Sequence, residues 1–266
     1  MDVVLRRIEP WLTLVSALTA CTAAPDETTT ATATATTDGG HDESTGGPED
    51  SGEPDPPVAS ACPPGTTASA APRSIAEAVA LVNALPHPLS LDCFLERLPR
   101  PLAATATIST VSLQPADGAR SPRVFLFVDD LVMSIAIDGT EGTRLLEFGE
   151  LVSPTQSIKG EIEFPVEATL GESDPTARIL DETGSQCRLC HGHEAPHPAY
   201  ETAIVSDALQ FRPDELVELE ALRAEHEACD ASAEPARCAR LSALFDHGAL
   251  VQSPFPYELP TIYDYE

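Results

Sequence analysis

Cys187-Arg188-Leu189-Cys190-His191 holds the side chains of this 266-residue chain best suited to chemistry. Two thiols at that spacing can each form a thioether to one haem, and the imidazole that follows then falls under the iron as an axial ligand. The same thiols, with a nearby His, could instead bind Zn²⁺ in tetrahedral geometry, or oxidise to a small disulfide. A thioredoxin-like reductase is disfavoured, because no βαβ pattern surrounds the motif. Thr183-Gly184-Ser185 reads as a loop, so no helix leads into it.

An iron held by His191 has a second axial position. No Met follows Met133, so a distal ligand would be His, or the iron would be five-coordinate. His226 is the first candidate, because Leu216, Leu219 and Leu222 mark an apolar stripe that reaches it at i+4. His247 is the second, although a His in a last helical turn often serves only to complement the dipole. His193 and His197 lie too near the proximal ligand in sequence to reach the opposite face. His193-Glu194-Ala195-Pro196-His197 also spells the H-E-x-x-H zinc protease signature, which needs both imidazoles on one face of a helix. Pro196 and Pro198 forbid that helix, and with it the protease.

Three groups of elements are expected to position these residues. Ser74-Ile75-Ala76-Glu77 is a capping box opening a helix that Pro86 and Pro88 stop, and Leu89 to Leu98 suggests a second. From about Ala104 the pattern turns to period two, with candidate strands Thr105–Leu113, Arg123–Val128, Leu131–Ile137, Thr143–Phe148 and Ser157–Val166. After the motif, Pro213-Asp214-Glu215 and Glu234-Pro235 each open a helix. The predicted fold is therefore α+β. N-terminal helices pack on a small antiparallel β-sandwich or half-barrel over residues 62–181, and a mainly helical module follows over 182–266. Asp129, Asp130, Asp138 and Glu141 could gather at one sheet end around Ca²⁺, but acids in turns are usually only solvated turn formers.

Residues 1–20 form a signal too short in its apolar run to span a bilayer, which takes about 20 apolar residues. It ends in Leu18-Thr19-Ala20-Cys21, which resembles the lipobox of bacterial lipoproteins. That resemblance implies cleavage before Cys21, diacylglycerol on its sulfur, and a place in the cell envelope facing the periplasm or the outer surface. Residues 21–61 are runs of Thr and Ala, then Gly, Pro and acids, too poor in apolar side chains to make a core. They would form a flexible tether reaching roughly 35 Å. If Cys21 is lipidated and Cys187 and Cys190 hold haem, four cysteines remain with three possible pairings, and the local solution joins Cys62 to Cys93 and Cys229 to Cys238. The formal charge of −28 repels nucleic acid and suits docking to a basic protein partner.

The C-x-x-C-H run followed by helices resembles a monohaem c-type cytochrome, closely over Cys187 to His191 and loosely over the last 80 or so residues. The resemblance implies one covalent haem c on Cys187 and Cys190, His191 as proximal ligand, and electron transfer to a redox partner. The competing expectation is a non-enzymatic surface lipoprotein, whose β domain binds a partner while Cys187 and Cys190 form a structural disulfide or metal site.

Overall fold

The computed structural model describes residues 60–139 and 142–264, all within one unit, Asp55–Glu266. The expected signal peptide, the lipidated Cys21 and all but the last two residues of the expected tether lie outside the described residues. No helix among those described is long and apolar enough to cross a membrane.

The Ser74 cap forms as the sequence suggests, while the Glu77 carboxylate reaches one residue beyond the cap. Helix α1 (Ile75–Ala84) starts at Ser74, whose hydroxyl accepts from Glu77 N at 3.1 Å, and the Glu77 carboxylate accepts from Arg73 N at 2.7 Å. Ile75, Val79 and Val82 are buried against the sheet core. Helix α2 (Leu91–Glu96) is capped by Ser90 and carries Cys93, which is disulfide-bonded to Cys62.

Five strands follow as an antiparallel meander: β1 (Leu102–Thr107), β2 (Arg123–Val128), β3 (Leu131–Ala136), β4 (Leu145–Ser153) and β5 (Gln156–Glu163). Alternation divides their side chains between two faces. Val124, Leu126, Leu131, Met133, Ile135, Leu146, Phe148, Ile158 and Ile162 join the helices in the main core. The opposite face takes Arg123, Phe125, Ser134, Glu147, Gly149, Ser157 and Lys159, a mixed polar and aromatic surface that single-face burial alone would not produce.

That second face is covered by the rest of the chain, and here the sequence expectation fails. After helix α3 (Asp174–Arg178) come the short hairpin β6 (Leu180–Asp181) and β7 (Gly184–Ser185), then strands β8 (Ala195–Pro196), β9 (Ile204–Asp207) and β10 (Leu216–Val217). Helices α4 (Leu219–Glu227) and α5 (Pro235–Phe245) follow, and β11 (Leu250–Gln252) ends the strands. Strand β9 pairs with β5 and β8 with β9, while β10 and β11 share the free edge of β1, β10 antiparallel and β11 parallel. Among the described residues the result is one nine-stranded mixed sheet with five short helices. The region after Asp181 is not a mainly helical cytochrome c-like module. Its strands complete the sheet, because the exposed edges of β1 and β5 offer unpaired backbone groups that must be met.

The two C-terminal helices do form, joined by the Cys229–Cys238 disulfide. Leu219, Leu222, Leu241, Ala243, Leu244 and Phe245 add to the main core. Arg240 of α5 is buried and reaches Asp92 of α2, the Ala136 carbonyl at 2.9 Å and the Thr143 carbonyl at 3.1 Å. One guanidinium thus ties α5 to α2 and to the end of β3.

Candidate functional site

The motif is delivered by the β6–β7 hairpin and held by a short helical turn. Gly184 has φ +139°, a backbone conformation that favours glycine, and a Cβ there would displace the Glu194 carboxylate, 2.6 Å away. The Glu194 carboxylate accepts from Ser185 N at 3.1 Å and from the Ser185 hydroxyl. Ser185 Oγ in turn accepts from Cys187 N at 3.1 Å, capping the 3₁₀ turn Gln186–Leu189. His191 N donates to the Cys187 carbonyl at 2.8 Å, which folds Cys187, Cys190 and His191 onto one turn. Both cysteines are half-buried thiols outside the two disulfides. Leu189, between them, is 72% exposed.

Strand β9 fixes the imidazole. His191 Nδ1 lies 2.8 Å from the Asp207 carbonyl, which can only accept, so Nδ1 carries the proton. Burial, with the Lys159 charge adding to it, pushes the His191 pKa down to about 3, so the ring is neutral and its Nε2 keeps a lone pair. A ring nitrogen donating to a backbone carbonyl is the arrangement that orients metal-ligating histidines. The Asp207 carboxylate holds His193 Nδ1 at 2.7 Å, and Asp207 N donates to the Gly192 carbonyl at 3.1 Å.

Cys187, Cys190 and His191 line a cavity of about 150 Å³ between this turn and the mixed face of the sheet. Its floor includes Gly149, Ser157 and Lys159; Phe125, Phe211 and Phe255 close one side, with ring centroids 5.1 to 6.0 Å apart. Arg123 forms another wall. It pairs with Glu147, donates to Ser134 Oγ at 2.8 Å, and lies 4.7 Å over the Phe125 ring.

Burial raises the Cys187 thiol to about 11, with Lys159 pulling the other way. A thiol so rarely ionised at neutral pH is a poor attacking nucleophile, which argues against disulfide-exchange catalysis. Burial likewise lowers the Lys159 ammonium to about 8.

The other histidines lie elsewhere. His226 is on α4 as expected, but its Nε2 meets Asp246 Oδ1 at 2.7 Å and its ring stacks on Phe245; it does not line the cavity. His247 Nε2 stands 3.5 Å from Glu96 Oε1, also outside the cavity. His197 accepts from Ala199 N and stacks on Tyr200. The H-E-x-x-H run contains strand β8, so its imidazoles never share a helix. Among the described residues no three His, Cys, Asp or Glu side chains gather in a metal-binding group. Asp129 pairs with Arg73 and Asp130 accepts from Tyr257, as solvated turn acids do.

Sequence reasoning missed Lys159, the single lysine of the chain. The alternation of Ile158 and Ile162 with polar residues was the available signal, since it sends the amine to the face opposite the two isoleucines. The donor set suits covalent haem: two non-disulfide thiols on one turn, followed by a neutral imidazole with an oriented ring. The cavity is small beside the roughly 300–1,000 Å³ of drug-sized ligand pockets. A porphyrin macrocycle is larger than this cavity as it stands. No family model, curated protein or solved structure matches the chain.

Proposed function

We propose that this protein is an envelope-anchored monohaem electron carrier, with haem bound covalently to Cys187 and Cys190 and His191 as its proximal ligand. The observation that carries the reading is the Asp207 carbonyl's hold on His191 Nδ1, which points a neutral Nε2 away from that bond on the turn bearing both thiols. When bound, haem supplies reversible one-electron redox chemistry. The chain's part is to anchor, orient and shield. Cys187 and Cys190 fix the group's position, and the Ser185–Glu194 network holds the turn that presents them. Phe125, Phe211 and Phe255 offer an apolar, water-excluding wall. Leu189, between the two thiols, is exposed, which supports attachment within reach of a docked partner. The acidic surface favours a basic partner. This is a haem protein built on a sheet, not on a cytochrome c helix bundle.

The small cavity favours a second reading: a non-enzymatic surface lipoprotein in which Cys187 and Cys190 close a structural disulfide. Export of the full chain beside a haem-maturation system separates the two. The first reading expects a haem-staining band on a reducing, denaturing gel, lost in Cys187→Ser/Cys190→Ser. A colourless wild-type chain supports the second.

A further inference from the structure

The floor of the cavity carries hydrogen-bond donors that the fold leaves unused. Lys159 is 7% exposed and lines the cavity, with no described carboxylate within ion-pair distance of its ammonium. Two residues earlier on the same face, Ser157 Oγ is buried without a hydrogen-bond partner. Ser206, opposite Ser157 in the β5–β9 register, has a buried hydroxyl in the same state. Buried polar groups in native folds are met by protein, water or ligand, and Ser157, which lines the cavity beside Lys159, asks for an occupant there.

The nearby carboxylates are committed elsewhere. Glu147 is held by Arg123, Asp207 by His193, and Glu161 by Arg178 at 2.7 Å. Gly149 supplies the room: it faces the cavity, and a Cβ there would sit 3.6 Å from Ser157 Oγ. The cavity of about 150 Å³ suits a few heavy atoms, not a sugar or nucleotide. The chain's net charge of −28 repels anions in general, so one held here would reflect a built site rather than bulk attraction.

We infer that this recess binds a small monovalent anion of the size of azide, nitrite or thiocyanate, held by the Lys159 ammonium and the Ser157 hydroxyl. The anion accepts from both donors and sets a negative charge beside a buried ammonium that makes no ion pair among the described residues. The inference goes beyond the haem reading, since the sheet's own side chains hold the ligand.

The test titrates the haem-free full chain, with its Cys62–Cys93 and Cys229–Cys238 disulfides intact, with sodium azide by calorimetry. A saturable one-to-one isotherm is expected. Lys159→Met should weaken it by about tenfold or more, the scale of one lost charge-assisted hydrogen bond, and Ser157→Ala by less. Gly149→Val, which fills the recess and leaves both donors, should also abolish binding, and benzenesulfonate should fail to compete. Circular dichroism of each variant reports folding. Absence of binding by the wild type, or equal affinity in folded Lys159→Met, overturns the site. The haem-stained gel is read separately, so either idea can fail alone.

Discussion

Lys159 holds its ammonium buried in this fold, and that has a measurable consequence. Its folded pKa of about 8 lies below the ordinary 10.5, so between those values the unfolded chain binds more protons. Stability must therefore rise with pH across that window, by up to about 3 kcal/mol from this group. Cys187 acts oppositely. Its thiol is raised from 9.0 to about 11, so the folded chain keeps the proton longer and stability falls over that range. In the Cys187→Ser/Cys190→Ser chain the thiol is gone, and denaturant unfolding from pH 8 to 10.5 should show the rise alone. Adding Lys159→Met should flatten that rise and stabilise the protein at pH 7. A flat profile with Lys159 present would mean the amine is solvated.

Elements formed where several signals agreed. The Ser74 cap opened α1, Arg123–Val128 is β2 to the residue, and the local cysteine pairing is the one found. Strand β1 lies earlier than its candidate Thr105–Leu113, because Leu102-Ala103-Ala104-Thr105 is a strand of small residues with weak alternation. Strands β8 and β10 have two residues and β11 three, too few for any period to register. Their pairing is decided by open edges on β1 and β9, which exist only once the sheet has formed. The site was half legible. The thiols and imidazole could be read from spacing, but Asp207 and Lys159 reach them only through β9 and β5. Arg240 belongs to this scale too, since Arg240→Ala would leave Asp92 and two carbonyls without their donor. A loss of about 3 kcal/mol in urea unfolding is expected. A loss below about 1 kcal/mol would show that water replaces the guanidinium.

The whole folded part rests on one sheet whose edges are closed by its own C-terminal strands. Removing residues 204–266 would strip β9 from β5 and both β10 and β11 from β1, so that truncation should not fold. Calorimetry of the intact chain should give a single transition over residues 60–264. Two separated transitions would show that the C-terminal region folds by itself. The molecule as a whole joins an acidic surface, an expected lipid tether and a surface-facing thiol–imidazole turn. Those features together suit a protein that exchanges electrons with a basic partner at the envelope.

Trypsin offers the most direct measurement, because Arg188 lies between the two cysteines. Cleavage after Arg188 puts Cys187 and Cys190 on separate peptides. For protein matured with haem and digested under reducing conditions, the account requires the two peptides to travel together, joined through one haem. Peptides that separate under reductant, with no added mass on either cysteine, would contradict it.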